Sequence, residues 1–466
     1  MMRKTFITLV LTLMICCLFS GCENSKEEDD DYQSRLFDQS YVHEIDIRIS
    51  KQDWEDLLSD PASKSKYDID VIVDGEEYKD VSFSTKGNSS LYFVAAEGNS
   101  ERYSFKLNFA KNNEDQTYHG LKKFNLGNCF EDPSYMKDFI SYEIFKYLGV
   151  DVHLTSYVWV KINGKDHGLY LASEDMDKSF IKRNYQGKGV LYKPESEGLE
   201  LDIDKVEEMK QNGMEITNDS NGADLIYKDD KVETYSDIFE NAQTKVEEAD
   251  KKRLIEALKG LASNKDLDEY LYTEEVIDYF VAQVFLLNYD SYIGPMLHNY
   301  YLYENEGKLA MLPWDYNLAF ATFKLTIPEN NDEGITALIN CGIDSPLILT
   351  TAKQRPMWRW IMENEEYRKL YHERMNELIE GYITSGEFSE KVDSIYEMIR
   401  PYVDKDPNAF YTVEQFDTGC DVLKRFTFTR AESIDRQLSG KLSMINEQQN
   451  PDDYVDASDI NLFDLR

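Results

Sequence analysis

The apolar residues of this chain keep a mainly two-residue period, broken by one helical stretch, up to about residue 174 and a mainly helical period beyond Pro194, so a strand-rich part comes first and a helix-rich part later. His43-Glu44-Ile45-Asp46-Ile47-Arg48-Ile49 places its three isoleucines on one face. Asp68 to Val73, an Asp74-Gly75 turn and Val81 to Thr85 read as a hairpin. In Arg102 to Phe109, the residues Tyr103, Phe105, Leu107 and Phe109 share one face and Lys106 lies on the other. A helix follows, with Asp132 as its expected N-cap, Pro133 in its first position and Gly149 just past its end. Tyr157 to Ile162, the Asn163-Gly164 turn and Gly168 to Ala172 read as a second hairpin. Helical spacing then marks 245–261, 274–287, 365–383, 389–400 and 413–438. The segment 274–287 is apolar nearly all round, as a central buried helix would be. The expectation is an α+β protein with a β-rich N-lobe over 41–195, a mainly α-helical C-lobe over 196–440 and a polar C-terminal tail over 441–466. The boundary between the two lobes falls within 174–195.

The N-terminus carries a separate signal. Arg3 and Lys4 precede an apolar run from Phe6 to Phe19, which is too short for an ordinary membrane span. The run ends in Phe19-Ser20-Gly21-Cys22, which looks like a bacterial lipobox. The residues therefore predict a lipoprotein signal peptide over 1–22 and an acylated Cys22, with an ordinary cleaved signal peptide as the alternative. An acidic tether over 23–40, including Glu27 to Asp31, would hold an exported domain off the bacterial cell membrane. Cys129, Cys341 and Cys420 form neither a disulfide framework nor a CxxC metal pattern and read as packing residues.

Of the 466 residues, 51 are basic and 88 acidic, giving a formal charge of −37. Such a surface repels phosphate backbones, so nucleic acid is excluded as a partner and a basic protein suits the field better. Hydrophobic residues at 42% and aromatics at 13% supply a large core and exclude a disordered chain. The sequence has no GxxxxGK[ST], HExxH, GxSxG or GxGxxG. Asn218-Asp219-Ser220-Asn221-Gly222 fails the ligand spacing of a calcium loop.

The stretch Leu286 to Phe320 is the most informative for chemistry. A buried helix ends at Asn288-Tyr289-Asp290, Gly294-Pro295 forces a loop, and two strands flank the turn at Glu304-Asn305-Glu306-Gly307. Counting outward from that turn puts Asn299 and Asp315 at the open end of the hairpin, with Asp290 entering from the preceding loop. Two carboxylates and an amide oxygen at one place are the hard donor set that Mg²⁺ takes alongside phosphate and water. Protein kinases use the same chain order of catalytic Asp, metal-binding Asn, hairpin and second metal-binding Asp. Taken singly, Asp290 reads as a helix-end loop residue and Asp315 as a surface turn.

Lys106 is a lone cation on the polar face of a strand, where most lysines are solvated. A kinase-like site needs such a strand Lys on the nucleotide phosphates, oriented by a helical Glu. Glu143 shares a helical stripe with Met136, Ile140 and Tyr147 and is a candidate partner for Lys106; snorkelling from the stripe edge reads equally well. Lys86-Gly87-Asn88-Ser89-Ser90 follows a strand directly, and its small residues would let backbone N–H groups approach a phosphate, an ordinary turn being the plainer reading.

In order, KGNSS, RYSFKLNF, EDPSYMKDFISYEIFKYLG, VWVKINGKDHGLYLASEDMD, GVLYKPE, LLNYD, HNYYLY and LPWDYNLAF resemble the segments of the CotH kinase family, the atypical kinases related to spore coat protein H. The resemblance covers about 41–440. It implies an atypical protein-kinase-like two-lobed fold and phosphate transfer from ATP, with Mg²⁺ or Mn²⁺, to Ser or Thr of a protein substrate. A basic, Ser-rich spore coat or cell-surface protein is the partner it suggests. By the same resemblance Asp290 orients the acceptor hydroxyl and Asp315 is a metal ligand beside the phosphates. Asn299 would be a second ligand, Lys106 the phosphate-binding Lys and Glu143 its partner, while Lys86, Asn88 and Ser89 stay candidates for covering the nucleotide on the strength of their small-residue turn alone. Lys193 and Glu174 fall in matching segments without an assigned role. The pattern departs from ordinary protein kinases: Leu287-Asn288-Tyr289-Asp290 stands for HRD, and Trp314-Asp315-Tyr316 for DFG. An exported domain also meets little ATP. A non-catalytic surface, coat-assembly or adhesion protein is therefore the alternative, and a carbohydrate-active enzyme using Asp290 and Asp315 as an acid/base pair a weaker one.

Overall fold

Alternating apolar residues build the first half of the chain. The computed structural model describes residues 31–98, 100–196, 220–264, 266–326 and 332–466. The signal peptide and Cys22 lie outside the described residues. The strands are β1 (His43–Arg48), β2 (Tyr67–Val73), β3 (Glu76–Lys86), β4 (Ser104–Asn108), β5 (Lys123–Gly127), β6 (Thr155–Ile162) and β7 (Lys165–Glu174). They close into a barrel in the order β1-β2-β3-β4-β5-β7-β6. Neighbours are antiparallel except β1 and β6, which seal the barrel in parallel from His43↔Val158 to Ile47↔Ile162. One face of each strand fills the interior, with Ile47, Val71, Phe83, Phe105, Phe124 and Val160 fully buried there. Both two-residue hairpin turns have left-handed backbone throughout, Asp74-Gly75 at φ 48° and 88° and Asn163-Gly164 at 52° and 77°.

Helices α1 (Lys51–Ser59) and α2 (Ser89–Glu97) interrupt the strands, and α3 (Lys137–Tyr147) joins β5 to β6. Asp132 and Pro133 do not open α3. The segment Asp132 to Tyr135 forms its own turn, in which the Asp132 carboxylate accepts from Ser134 Oγ at 2.6 Å and from the Lys137 backbone N–H at 2.9 Å. Asp132 thus satisfies one helical donor from outside the helix. Gly149 follows the end of α3 at φ 85°.

The second half holds α4 (Lys178–Tyr185), α5 (Glu248–Ala262), α6 (Thr273–Phe285), α7 (Asp332–Ile339), α8 (Pro356–Glu363), α9 (Glu365–Leu378), α10 (Glu387–Lys405) and α11 (Val413–Leu438). Every residue of α6 from Val276 to Phe285 is buried. Phe139, Ile140, Ile144 and Phe145 of α3 belong to the same core as α6 and α11, so the helix between two barrel strands packs into the helical half. A second sheet has the order β10-β9-β8, from β8 (Val190–Tyr192), β9 (Tyr300–Asn305) and β10 (Lys308–Pro313).

Three boundaries differ from the sequence expectation. β8, assigned to the N-lobe by the 41–195 limit, pairs with β9 instead. The acidic tether expected over 23–40 gives way by Asp31: Tyr32, Leu36 and Phe37 are buried, and Tyr32 Oη donates to Glu174 Oε1 at 2.8 Å. The polar tail expected over 441–466 packs onto the helical core through Ala457, Ile460, Leu462 and Leu465, and Leu442 and Val455 are buried as well. In both segments sparse apolar residues find a groove that composition does not reveal. The architecture is mixed α+β with a closed barrel.

Candidate active site

The β9–β10 hairpin organises the site. Glu306 and Gly307 turn it with φ 53° and 88°, and pairing runs from Asn305↔Lys308 to Tyr300↔Pro313. Asn299 and Trp314 therefore lie just past the last pair, at the open end, with Asp315 one residue beyond. The loop after α6 brings Asp290 to the same end. Gln283 Nε2 donates to Asn288 O and to Ser291 Oγ, both at 2.5 Å, and fixes that loop from the helix. Gly294 is required: a Cβ there would sit 1.8 Å from Tyr289 O.

Asp290 and Asn299 are buried and bonded to each other. Asn299 Nδ2 donates to Asp290 O at 2.9 Å and to Asp290 Oδ2 at 3.0 Å, which leaves the Asn299 carbonyl oxygen as the side chain's acceptor. His298 Nε2 lies 2.7 Å from Asp290 Oδ1. Burial works against its protonation, yet Asp290, and beyond it Asp315 and Glu195, raise the His298 pKa above its ordinary value. Asp290 and Asp315 thus both act on the imidazole of His298, a residue the sequence reading missed although it directly precedes Asn299.

Asp315 is exposed, with a left-handed φ of 61°. Its N–H donates to Tyr142 Oη at 2.9 Å, and the N–H of Tyr316 donates to Asp138 Oδ1 at 2.6 Å. Burial, then the nearby charge of Asp315, pushes the Asp138 carboxyl up to about 7.

Cations approach from the barrel. Lys86 ends β3, half-buried, with Nζ 5.0 Å from the centre of the Trp314 ring. Burial lowers its pKa against the pull of Asp315, and Lys193 and Lys106 add to the lowering, so three ammonium groups share this corner. Lys193 pairs with Glu195. Lys106 Nζ binds Asp175 Oδ2 at 2.8 Å, and Lys123 Nζ reaches Asp175 at 3.3 Å and Asp177 at 3.1 Å. Although burial raises it, the Asp175 carboxyl is drawn down to about 2 by Lys106 and Lys123.

The Lys106–Glu143 pair is not formed. Glu143 Oε2 binds Lys391 of α10 at 3.0 Å, and Asp175 takes the place at Lys106. The stripe Met136, Ile140, Glu143 and Tyr147 runs from the core out to the surface, so Glu143 sits at its edge, while Asp138 and Tyr142 turn toward Asp315. Asn88 is also diverted, its Oδ1 accepting from Lys64 Nζ at 2.8 Å, and Ser89 opens α2 on exposed surface. Glu174, the last residue of β7, is structural, held by Arg183 at 2.6 Å and by Tyr32. His153 packs between Tyr142 and Trp314, ring centres 4.2 and 4.8 Å away, and burial pushes its pKa down to about 3.

The structure therefore brings Asp290, Asn299, Asp315 and Lys86 to one place, with Lys106 beside Lys86, and leaves Glu143, Asn88 and Ser89 out. Among the described residues no group of three or more His, Cys, Asp or Glu is arranged to hold a metal ion. Asp315 and the Asn299 carbonyl oxygen belong to the same open hairpin end, and two such hard donors are as many as a metal also bound to phosphate takes from protein. Lys86 sits over the Trp314 ring, and among the described residues no carboxylate stands at ion-pair distance from it.

The sequence profile described as CotH kinase protein matches residues 83–434, from within β3 to within α11. The inner spore coat protein H of Bacillus subtilis (strain 168) is 24% identical over 414 residues, covering 86% of this chain and 97% of that protein. The matched span contains every residue assigned to the site above, and the chain belongs to the CotH kinase protein family.

Proposed function

We propose that this protein is a phosphotransferase moving the terminal phosphoryl group of ATP to a Ser or Thr hydroxyl of a protein, within an atypical kinase-like two-lobed arrangement of barrel and helices. The observation that carries this reading is the Asp290–Asn299 pair beside Asp315 at the open hairpin end, with Lys86 opposite. In it, Lys86, Lys106 and Lys193 bind the phosphate chain. Asp290, oriented by Asn299 and His298, receives the proton of the acceptor hydroxyl. Asp315 and the Asn299 carbonyl oxygen would hold Mg²⁺ or Mn²⁺, which when bound neutralises charge on the transferring group. A basic, Ser-rich acceptor suits the charge of −37, and the name of the Bacillus relative supports a coat or surface protein as that acceptor. Attachment to the outer face of the membrane through an acylated Cys22 is part of the proposal. No helix among the described residues is long and apolar enough to cross a membrane.

Incubation with labelled ATP and Mg²⁺ or Mn²⁺ is expected to label the protein or a basic acceptor. Asp315→Ala should cut that labelling by at least about a hundredfold. Equal labelling by the variant would overturn the assignment. Absence of any nucleotide- or metal-induced thermal stabilisation would favour a binding role in coat assembly.

A further inference from the structure

We infer that Asp138 is a positioning residue, which holds the backbone at Asp315 in the bend that aims its carboxylate and so links α3 to the site. The inference rests on the phosphotransfer reading for its purpose, but its geometry stands apart. Asp315 is a non-glycine residue at φ 61°, a conformation that persists only where neighbours enforce it. Both N–H groups flanking the bend end on α3. That of Tyr316 goes to Asp138 Oδ1 at 2.6 Å, and that of Asp315 to Tyr142 Oη at 2.9 Å. Tyr142 in turn donates to Asp138 Oδ1 at 3.2 Å, so one carboxylate oxygen anchors both. Asp138 and Tyr142 are four residues apart and share a helix face. Tyr142 is itself wedged by His153 and by the ring of Tyr316, whose centre is 5.8 Å away.

The neighbouring cation does not serve Asp138. Lys137 Nζ is taken by Glu131 O at 2.7 Å and by Thr322 Oγ1 at 2.9 Å. Asp138 therefore acts by accepting hydrogen bonds, and an amide oxygen at the same position would accept the same two. Glu143 is bound to Lys391, whereas Asp138 and Tyr142 bond directly to the backbone at Asp315 and Tyr316. A shift of α3 would move that segment with it.

The test uses Asp138→Asn, Asp138→Ala and Tyr142→Phe in the full chain, with two readouts. Hydrogen exchange at the amides of Asp315 and Tyr316 reads the bend directly. Labelling from ATP at varied Mn²⁺ reads its consequence. Asp138→Ala is expected to lose amide protection and to raise the half-saturating Mn²⁺ about tenfold or more. Tyr142→Phe should expose the Asp315 amide alone. Asp138→Asn should keep protection and stay within about threefold of the parent in both Mn²⁺ requirement and turnover. An Asn variant as inactive as the Ala variant, with protection intact, would make the charge essential and overturn positioning. Unchanged protection in Asp138→Ala would overturn it too. Should the parent protein label nothing, phosphotransfer fails, while the exchange measurement still decides whether Asp138 holds the bend.

Discussion

Asp175 shows how a single carboxylate can hold two cations in place. Its folded pKa, near 2, lies below the ordinary 3.8 because Lys106 and Lys123 outweigh its burial. A depressed carboxyl stabilises the fold above its unfolded pKa, and that contribution disappears as pH falls from about 4 to about 2. The size is about 2 kcal/mol. Asp175→Asn should therefore lose about that much stability at pH 7 in urea melts and show a flatter acid limb between pH 4 and pH 2. At this scale the sequence is informative where local counting suffices. Asn299 and Asp315 follow from the length of the strands about Glu306-Gly307, and Asp290 from the loop that leads into them. It fails where rotation matters: spacing cannot say which stripe of α3 faces the site, so Glu143 stands out as a misplaced charge while Asp138 and Tyr142 pass as ordinary helix surface. Asp175 was hidden for a related reason, since its partner depends on the pairing of β4, β5 and β7.

Among the elements, the loop between α6 and β9 is tightly constrained at Gly294. A methyl group at Gly294 collides with backbone at Tyr289 rather than with a yielding side chain. Gly294→Ala should cost about 2 kcal/mol in denaturant melts and, by displacing Asp290 from Asn299, reduce the proposed labelling from ATP more than stability. Elements with strong terminal signals are legible in the sequence. Periodicity gives 413–438 for α11, whose ends are Val413 and Leu438, because the Thr412–Gln415 capping box sets its start. α3 begins later than its Asp-Pro signal because Asp132 to Tyr135 spends that signal on a separate turn. β8 has three residues, too few to display a period.

For the whole molecule, the barrel and the helices are tied by a fully buried ion pair. Arg102 Nη1 meets Asp406 Oδ2 at 2.6 Å, and Asp406 also accepts from the Leu169 backbone N–H at 2.8 Å. Removing one partner strands the other charge in the interior, so Asp406→Ala should lose about 3 to 5 kcal/mol in equilibrium unfolding. The order of strands before helices is legible in the apolar period. The parallel closure of β1 on β6 is not, because more than a hundred residues separate strands whose own patterns fit several neighbours. Burial of 31–40 and 441–466 is equally hidden, resting on a few apolar side chains among many polar ones.

The bond from Tyr32 to Glu174 has a geometric consequence for an acylated Cys22. About ten residues connect the two positions, a leash of at most about 35 Å when fully drawn out. The barrel would then hover within one domain's width of the lipid headgroups. Any macromolecule that meets the domain would have to come to the membrane surface, since a body held so short cannot roam in search of it.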